Sequence, residues 1–504
     1  MITTAAAALL LRLIYALLFS DTPLAQFNSL PGLDMATLLG FSEWDKSTWL
    51  NKPLFVLHRF VLFFCYIAMG KSHNFMLIYI VQSLFGVAAS AFVVWGTWQI
   101  SKSIRAGVIA GVIYALYGPF MLYECVALQE SILTHTLAIG FAVWLYYLDR
   151  RSTLAGVISG VILGLNSSGR PATVLLALVM ALYPLWLWRR EKFAFLNVAN
   201  LIFLAAVWLT ASLFNGYFRG QFNPFFNVMP HLIEVHNQTA PQAQGAAGGS
   251  VVSYLNVLLG AVKNVPYHFG MREVPENLDY DVIRTILPIL SLGPLFVMPF
   301  AVSGMVTSAL LKRKNMTVLY IAVAALMLPL AARVPIGRYR LLMMPFFIIF
   351  AAIFIEELIV NRPKRLAMTG ILIGVVGANL LCASPLVRSN PAAYHSLAIA
   401  AVKSQDDADS YFQKAWQMSN YTYKPSGIML MLRFMQRGDF DSAEKTALQD
   451  KSNAPEFIFY HAVAKTARNR FNEAKELLQK IKNPQKLGAL YPKYQQLSAF
   501  LQTK

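Results

Sequence analysis

The sequence predicts an all-α protein, a polytopic membrane bundle of about 11–13 helices followed by a soluble region of helical hairpins. Two observations predict this fold class. The 504 residues are 57% hydrophobic and only 13% charged, about half of the roughly 25% charge found in ordinary soluble domains. Most apolar residues also fall in runs that approach the length needed to cross a hydrocarbon core of about 30 Å.

The apolar runs follow one another through the first three-quarters of the chain. They lie at 4–20, 53–69, 75–99, 131–148, 153–168, 172–188, 195–214, 286–310, 316–334, 341–360 and 366–383. The first run contains Arg12 and lacks a basic leading region, so we expect a retained helix rather than a cleavable signal. The shorter run 106–118 extends only about 20 Å as a helix, which predicts a re-entrant or membrane-embedded piece there.

Basic residues gather in four short loops, which fixes most of the predicted topology. The loops are Arg150–Arg151, 188–192, 311–315 and 361–365, and positive residues favour the cytoplasmic side. The segments expected outside are 21–52, 119–130, 166–171, 215–285, 333–340 and everything after 384. In this order the run 53–69 returns the chain inside, 75–99 carries it out, and 101–105 is external.

The net charge of +18 comes from 43 Lys and Arg against 25 Asp and Glu. Because the basic residues cluster in short loops between apolar runs, this excess indicates no nucleic-acid partner. Cys65, Cys125 and Cys382 lie in or beside apolar runs, and their spacing matches neither a disulfide framework nor a CxxC metal site.

Two domains are predicted. Residues 1–389 are the membrane domain, with external loops 21–52 and 215–285, and residues 390–504 are the soluble tail. From residue 391 onward the tail holds 16 of the basic and 10 of the acidic residues. It is expected either to recruit a protein partner or to stabilise the external face.

The tail contains two similar segments, "GDFDSAEKTAL" (438–448) and "NRFNEAKELLQ" (469–479). Phe440 and Ala443 recur 31 residues later as Phe471 and Ala474. Small residues at a close crossing on amphipathic helices indicate stacked helical hairpins. The pattern is similar to tetratricopeptide repeats, although its period is shorter.

Several external segments carry ionisable residues suited to chemistry. Asp34 follows the first helix in "NSLPGLDMATLL" (28–39), and its local context alone fits a solvated loop acid. Glu124 and Glu130 lie between apolar runs, where a carboxylate faces a cavity or pairs with an arginine at the interface. In "RVPIGRYR" (333–340), Arg333, Arg338 and Arg340 either anchor a helix end or grip a phosphate.

The histidines of the segment 215–285 show no metal-site pattern. His231 and His236 are five residues apart, so a helix would not place them on one face. We interpret these two and His268 as residues for loop packing or substrate contact, and we predict no metal ligand.

The order of these segments resembles one family. The external Asp loop, the acidic turn "YECVALQE", "GLNSSGRPA" (164–172), an external lid region and a late "GRYR" are similar to the polyprenyl-phosphate-dependent membrane glycosyltransferases of the C-type fold. The resemblance extends in particular to the protein mannosyltransferase and aminoarabinose transferase branch, in bacterial members with a tetratricopeptide-like tail. "REVPENLDYDVIRTILPIL" (272–290) is similar to a stretch before a helix in those members.

The resemblance implies roles for individual residues. Asp34 is the implied general base on the acceptor, and Glu130, or alternatively Glu124, is the second acid. The predicted substrate-binding residues are Arg170, Arg338, Arg340, Arg333, His268 and Glu273. Many relatives follow the first Asp with another acid, whereas Met35 follows it here. This departure weakens the inference of a divalent metal as cofactor.

The implied activity is transfer of a sugar from a polyprenyl-phosphate donor to a protein, glycan or lipid acceptor. The resemblance places it at the external face of a bacterial inner membrane, with the tail on the same, periplasmic side. Two alternatives remain: a polytopic lipid or sugar transporter or flippase, and a non-catalytic membrane scaffold with an interaction tail. Transporters commonly contain two similar halves, whereas here the acids concentrate early and the arginines late.

Overall fold

The computed structural model describes most of the chain, which divides into two compact units. The described residues are 2–29, 56–68, 75–169, 171–191, 202–210, 265–270, 279–287, 289, 291–331, 337–361, 365–381, 390–404, 407–452 and 454–504. The first unit comprises Met1–Val274 and Ile283–Ala383, and the second comprises Pro275–Val282 and Ser384–Lys504. Within the described residues the regular elements are helices, apart from an isolated bridge between Tyr117 and Leu292. The predicted all-α class is confirmed.

Apolar helices build the first unit. They are α1 (Ile2–Ser20), α2 (Val56–Ala68), α3 (Phe75–Ser101), α4 (Ile104–Leu116), α5 (Gly118–Glu124), α6 (Gln129–Arg150), α7 (Thr153–Gly169), α8 (Pro171–Glu191), α9 (Pro294–Leu310), α10 (Thr317–Ala331), α11 (Gly337–Arg340), α12 (Met344–Val360) and α13 (Arg365–Leu381). The described stretches long and apolar enough to cross a membrane are Thr3–Ser20, α3, α6 and Gly337–Val360. Shorter apolar helices accompany them. The unit is therefore a multi-pass membrane bundle, as predicted.

Helix α12 lies in the core of this unit. Its residues from Met344 to Phe354 are all buried, as expected for a helix that is apolar around its whole circumference. Gly304 lets α9 approach it closely, because a Cβ at that position would lie 2.3 Å from the carbonyl oxygen of Phe350. On another side, the rings of Phe346 and Phe141 meet edge to face with centroids 4.8 Å apart.

The predicted re-entrant piece is instead the first part of a broken helix. Helix α4 ends at Leu116, the following Tyr117 has an extended backbone, and α5 continues the chain to Glu124. The break is closed by main-chain bonds: Gly118 N donates to Leu292 O at 3.0 Å and Leu292 N donates to Leu116 O at 2.7 Å. Residues 104–124 together rise roughly 30 Å, enough to cross the hydrocarbon core. The prediction treated 106–118 in isolation and missed this continuation.

The predicted separation of 101–105 from the basic loops is wrong. Lys102 Nζ lies 3.7 Å from Asp149 Oδ1, and the Ser103 hydroxyl donates to Glu356. Arg313 forms an ion pair with Glu357. Segments 101–105, 149–151 and 312–314 therefore meet at one end of the unit, which we call the basic end.

Helix α3 consequently runs towards the basic end, opposite to the predicted direction. Near its start the ring of Tyr79 packs on Phe19, at the end of α1, with centroids 5.7 Å apart. We call this opposite end, marked by Asn28, Tyr79 and the turn 125–128, the far end. The expected sequence of an inward passage through 53–69 and an outward one through 75–99 also fails, because α3 begins at the end where α1 finishes.

The second unit consists of helical hairpins. Its helices are α14 (Pro391–Ser404), α15 (Ala408–Met418), α16 (Lys424–Gln436), α17 (Phe440–Gln449), α18 (Pro455–Ala467), α19 (Phe471–Gln479) and α20 (Tyr491–Gln502). Each contacts the next along the chain from α14 to α20. These contacts confirm that the tail is built of helical hairpins, and its solubility stays a prediction.

The two similar segments of the tail have equivalent structures. Gly438 and Asn469 end α16 and α18 with φ of +77° and +60°, a conformation that Gly and Asn adopt at low cost. Ala443 and Ala474 are both completely buried, where α17 and α19 pack on their partners. The identity of the repeat as tetratricopeptide-like stays a prediction, as does the domain boundary at 389/390.

A short piece of the predicted loop 215–285 belongs to the second unit. Asn390 Nδ2 donates to Asp279 Oδ2 at 2.8 Å, and Asp281 N donates to Asp279 Oδ1 at 2.9 Å. Burial raises the pKa of Asp279, although the bond from Asn390 opposes this shift. The carboxylate therefore fastens this segment to the start of α14.

Candidate functional site

Five of the predicted site residues lie within the described residues. They are Glu124, Glu130, His268, Arg338 and Arg340. The others lie outside the described residues: Asp34, Arg170, Arg333 and Glu273, together with His231 and His236. Their predicted roles stay predictions.

Glu124 is enclosed by a cation and an imidazole. It is fully buried, and Arg12 Nε lies 2.9 Å from its Oε2 and 3.1 Å from its Oε1. His135 Nε2 lies 2.9 Å from Oε1. Gly86 of α3 makes room for this group, because a Cβ there would lie 2.3 Å from Glu124 Oε1.

The contacts continue beyond Glu124 into a four-residue network. His135 Nδ1 and the Tyr114 hydroxyl are 2.8 Å apart, and with a proton on Nε2 the imidazole accepts from Tyr114. Arg12 Nη1 donates to Ala115 O at 3.1 Å. A buried ion pair needs such additional hydrogen bonds to offset its desolvation. Arg12 Nε lies beside both oxygens of Glu124 and His135 Nε2 lies beside one, although Oε2 has no hydrogen-bond partner among the described residues.

Two amide side chains hold the turn that follows Glu124. Asn28 Oδ1 accepts from Ala127 N at 2.7 Å, while its Nδ2 donates to Tyr79 OH at 2.9 Å and to Cys125 O at 3.2 Å. Gln82 Nε2 donates to Val126 O at 2.9 Å. The turn 125–128 is thus hydrogen-bonded to Gln82 of α3 and to Asn28, in the short 3₁₀ helix Pro23–Ser29 that follows α1.

Glu130 follows this turn in the first helical turn of α6. It is 1% exposed. A carboxylate is stabilised at a helix N-terminus by the unpaired backbone N–H groups and the helix dipole. Its position is therefore set by the same turn that Asn28 and Gln82 hold.

His268 and Arg340 lie together. Arg340 Nη1 donates to Gly270 O at 2.8 Å, and both side chains are 1% exposed. Neither ring nitrogen of His268 has a hydrogen-bond partner among the described residues. Burial, with the charge of Arg340, lowers the pKa of His268 to about 4, so the imidazole is neutral near pH 7. Arg338 is partly exposed, with its guanidinium 5.6 Å from the centre of the Tyr339 ring.

Glu130 and the pair His268–Arg340 occupy the same end of the unit. Helices α6 and α12 both finish at the basic end, through Asp149 and Glu356. Glu130 begins α6, about 28 Å away along the helix, and Arg340 lies about 24 Å before Glu356. The turn Leu341–Met343 contacts α6 directly.

Arg12 and His135 are absent from the predicted site. The sequence does contain a signal for Arg12, because an ionisable residue in a membrane helix usually has a buried partner. His135 carries the same signal in α6. Within the described residues, no group of three or more His, Cys, Asp or Glu side chains is placed to hold a metal ion.

These features define a multi-pass α-helical membrane protein with buried ionisable residues at its far end. No protein-family model matches the chain, and no curated protein matches it.

Comparison with solved structures gives matches to an archaeal oligosaccharyltransferase. One is AglB from Archaeoglobus fulgidus in complex with an inhibitory peptide and a dolichol-phosphate, with 12% identity, a TM-score of 0.43 and coverage of 84% of this chain and 59% of that chain. Another is the Archaeoglobus fulgidus oligosaccharyltransferase in complex with Zn and sulfate, with 13% identity, a TM-score of 0.41 and coverage of 82% and 57%. The chain spans less than two-thirds of the length of these structures.

Proposed function

We propose that the protein is a membrane glycosyltransferase that moves a sugar from a polyprenyl-phosphate carrier to an acceptor at the far end of the bundle. The observation that carries this proposal is the shared location of a buried carboxylate, Glu130, and a buried cation, Arg340, at one end of an apolar body. Sugar transfer from a lipid phosphate needs a carboxyl group for proton transfer and a cation for the phosphate. Both must lie beside the apolar surface that holds the lipid chain.

Each group has a chemical task. Breaking the glycosidic C–O bond releases a phosphate whose negative charge grows as the bond lengthens. Arg340 and Arg338 stabilise that charge in the transition state, and the neutral His268 can donate a hydrogen bond to the same oxygens. A carboxylate beside the acceptor takes its proton, which typically accelerates such reactions about 10²–10⁴-fold.

Asp34 is our proposed general base, on the strength of the family resemblance. It follows the anchored Asn28 by six residues in the sequence. We assign the second acid to Glu130 because the family resemblance favours it, whereas Glu124 forms a buried ion pair with Arg12. Arg170, Arg333 and Glu273 remain further candidates for donor binding.

The positive-inside tendency supports an orientation with the basic end in the cytoplasm. The far end then faces the external side, where the acceptor is a protein, a glycan or a lipid. A bacterial inner membrane, with the tail in the periplasm, completes the proposal.

A gene-deletion experiment tests this function. Cells lacking the protein should accumulate a polyprenyl-phosphate-linked sugar, measured by mass spectrometry of extracted lipids. The wild-type chain should remove it, whereas Asp34→Asn and Glu130→Gln should not. Asp21→Asn is the matched control, since Asp21 is an exposed acid at the end of α1. Normal lipid levels with Asp34→Asn would contradict the assigned base.

A transporter is the second candidate, favoured by the network of Arg12, Glu124, His135 and Tyr114. Chains of acidic and His residues within membrane helices are used as proton relays in transporters. Purified protein in sealed vesicles distinguishes the two. A transporter should move a lipid-linked sugar between leaflets intact, whereas the proposed enzyme should release free polyprenyl phosphate.

A further inference from the structure

A cavity of about 380 Å³ lies at the basic end, away from the proposed sugar-transfer site. Its charged lining comes from two segments, with Arg313 and Lys314 before α10 and Glu356 and Glu357 near the end of α12. Ile100, at the end of α3, forms part of the apolar wall. Its volume falls within the range of small-ligand pockets, about 300–1,000 Å³.

The lining carries two positive and two negative charges. Arg313 pairs with Glu357 and also interacts electrostatically with Glu356. Glu356 accepts a hydrogen bond from Ser103. Among the described residues, Lys314 has no ion-pair partner. A simple anion would meet two carboxylates here and a simple cation would meet two bases, so the lining matches a ligand that carries both charges.

Exposed apolar side chains lie within three residues of the cavity's lining residues along the sequence. Ile104, Leu310 and Ile359 are 70%, 68% and 61% exposed. Each lies at the end of an apolar helix, where the hydrocarbon core gives way to headgroups. A ligand that enters the cavity therefore has acyl-chain surface beside it, which favours a membrane lipid over a soluble metabolite.

We propose that this cavity binds the headgroup of a zwitterionic phospholipid with a primary ammonium, of the phosphatidylethanolamine type. Lys314 contacts the phosphate and Glu356 contacts the ammonium. Basic pockets between membrane helices bind lipid headgroups by this chemistry, and here the glutamates add selectivity for the amine. Phosphatidylcholine binds more weakly because its quaternary nitrogen has no N–H to donate.

Lipid titration of the delipidated full chain tests the proposal. The melting temperature in detergent is followed by tryptophan fluorescence while phosphatidylethanolamine, phosphatidylcholine or phosphatidylglycerol with identical acyl chains is added. The first lipid should raise the melting temperature most. Lys314→Gln and Glu356→Gln should each weaken its apparent affinity about tenfold or more, as expected for loss of a hydrogen bond to a charged group.

Arg150→Gln is the matched control, because Arg150 is an exposed cation at the same end and does not line the cavity. It should leave the titration unchanged. Native mass spectrometry of co-purified lipid provides a second measurement if a variant is too unstable to melt cleanly. Equal stabilisation by phosphatidylglycerol, or by free phosphoethanolamine, would overturn the proposal, as would no difference between the variants and the control.

Discussion

The two ends of the first unit use charge in opposite ways. At the basic end Lys102 and Asp149 form a pair whose side chains are 63% and 48% exposed. Towards the far end Arg12 and Glu124 form a pair with 0% and 1% exposure. Exposed pairs contribute about 0–1 kcal/mol, whereas a buried pair leaves a costly isolated charge when one partner is removed. Loss of a charge should therefore cost little stability at the basic end and much more in the buried network.

The largest expected effect comes from breaking the buried pair. Arg12→Met should destabilise the protein by about 3–5 kcal/mol, because Glu124 is left buried without its cation. The measurement is the free energy of unfolding in detergent, by titration with a denaturing detergent. Arg12→Met combined with Glu124→Gln should recover much of this loss. If the double variant were no more stable than the single one, the pair would not carry the stability assigned to it.

A smaller effect is expected where α3 approaches the pair. Gly86→Ala should cost about 1–3 kcal/mol, since overpacking forces neighbouring groups to shift and the new Cβ would lie 2.3 Å from Glu124 Oε1. Gly374→Ala is the matched control in α13, where a Cβ meets no atom within 4 Å. Thermal unfolding of the two variants should separate them clearly. Equal melting temperatures would show that α3 can move away freely.

The lowered pKa of His268 predicts that the stability of the protein depends on pH. Its pKa is lowered to about 4 in the folded protein, against about 6.5 in an unfolded chain. The unfolded state therefore binds the proton first as the pH falls. Stability should decrease between pH 6.5 and 4, by at most about 1.4 kcal/mol per pH unit.

The comparison of His268→Gln with the wild type isolates this contribution, because His395 in the tail also has a pKa of about 4. The difference in unfolding free energy between the two proteins should change with pH only below about 6.5. A difference that is constant from pH 7.5 to 4 would exclude a buried neutral His268.

The smallest effect is expected at the exposed pair. Asp149→Asn should change stability by less than about 1 kcal/mol, measured by the same unfolding titration. A loss comparable to that of Arg12→Met would remove the contrast between the two ends.

The sequence predicted the fold class because apolar run length and charge are local properties. It failed where a distant partner decides the structure. The direction of α3 depends on contacts of Lys102 and Ser103 with Asp149 and Glu356, which no local pattern shows. The predicted order of crossings therefore separates 101–105 from 149–151, whereas the structure brings the two segments together.

For the candidate site too, the sequence predicted the local features and missed the contacts between distant residues. Glu124 and Glu130 are both recognisable as acids between apolar runs, and only the family resemblance favours Glu130 as the second acid. The structure adds that Glu124 pairs with Arg12, 112 residues earlier, a contact that no local pattern shows. The role of Asp34 still depends on the family resemblance.

The joint between Tyr117 and Leu292 links early and late parts of the first unit through main-chain atoms alone. Backbone groups inside a membrane protein must be satisfied by other protein groups, and here each part supplies what the other lacks. Most amino acids at 117 and 292 would preserve these bonds, with proline at 292 the clear exception. Side chains on both sides of the joint can therefore change during evolution. The main-chain bonds still hold α5, which carries Glu124, in a fixed position relative to the chain that leads into α9.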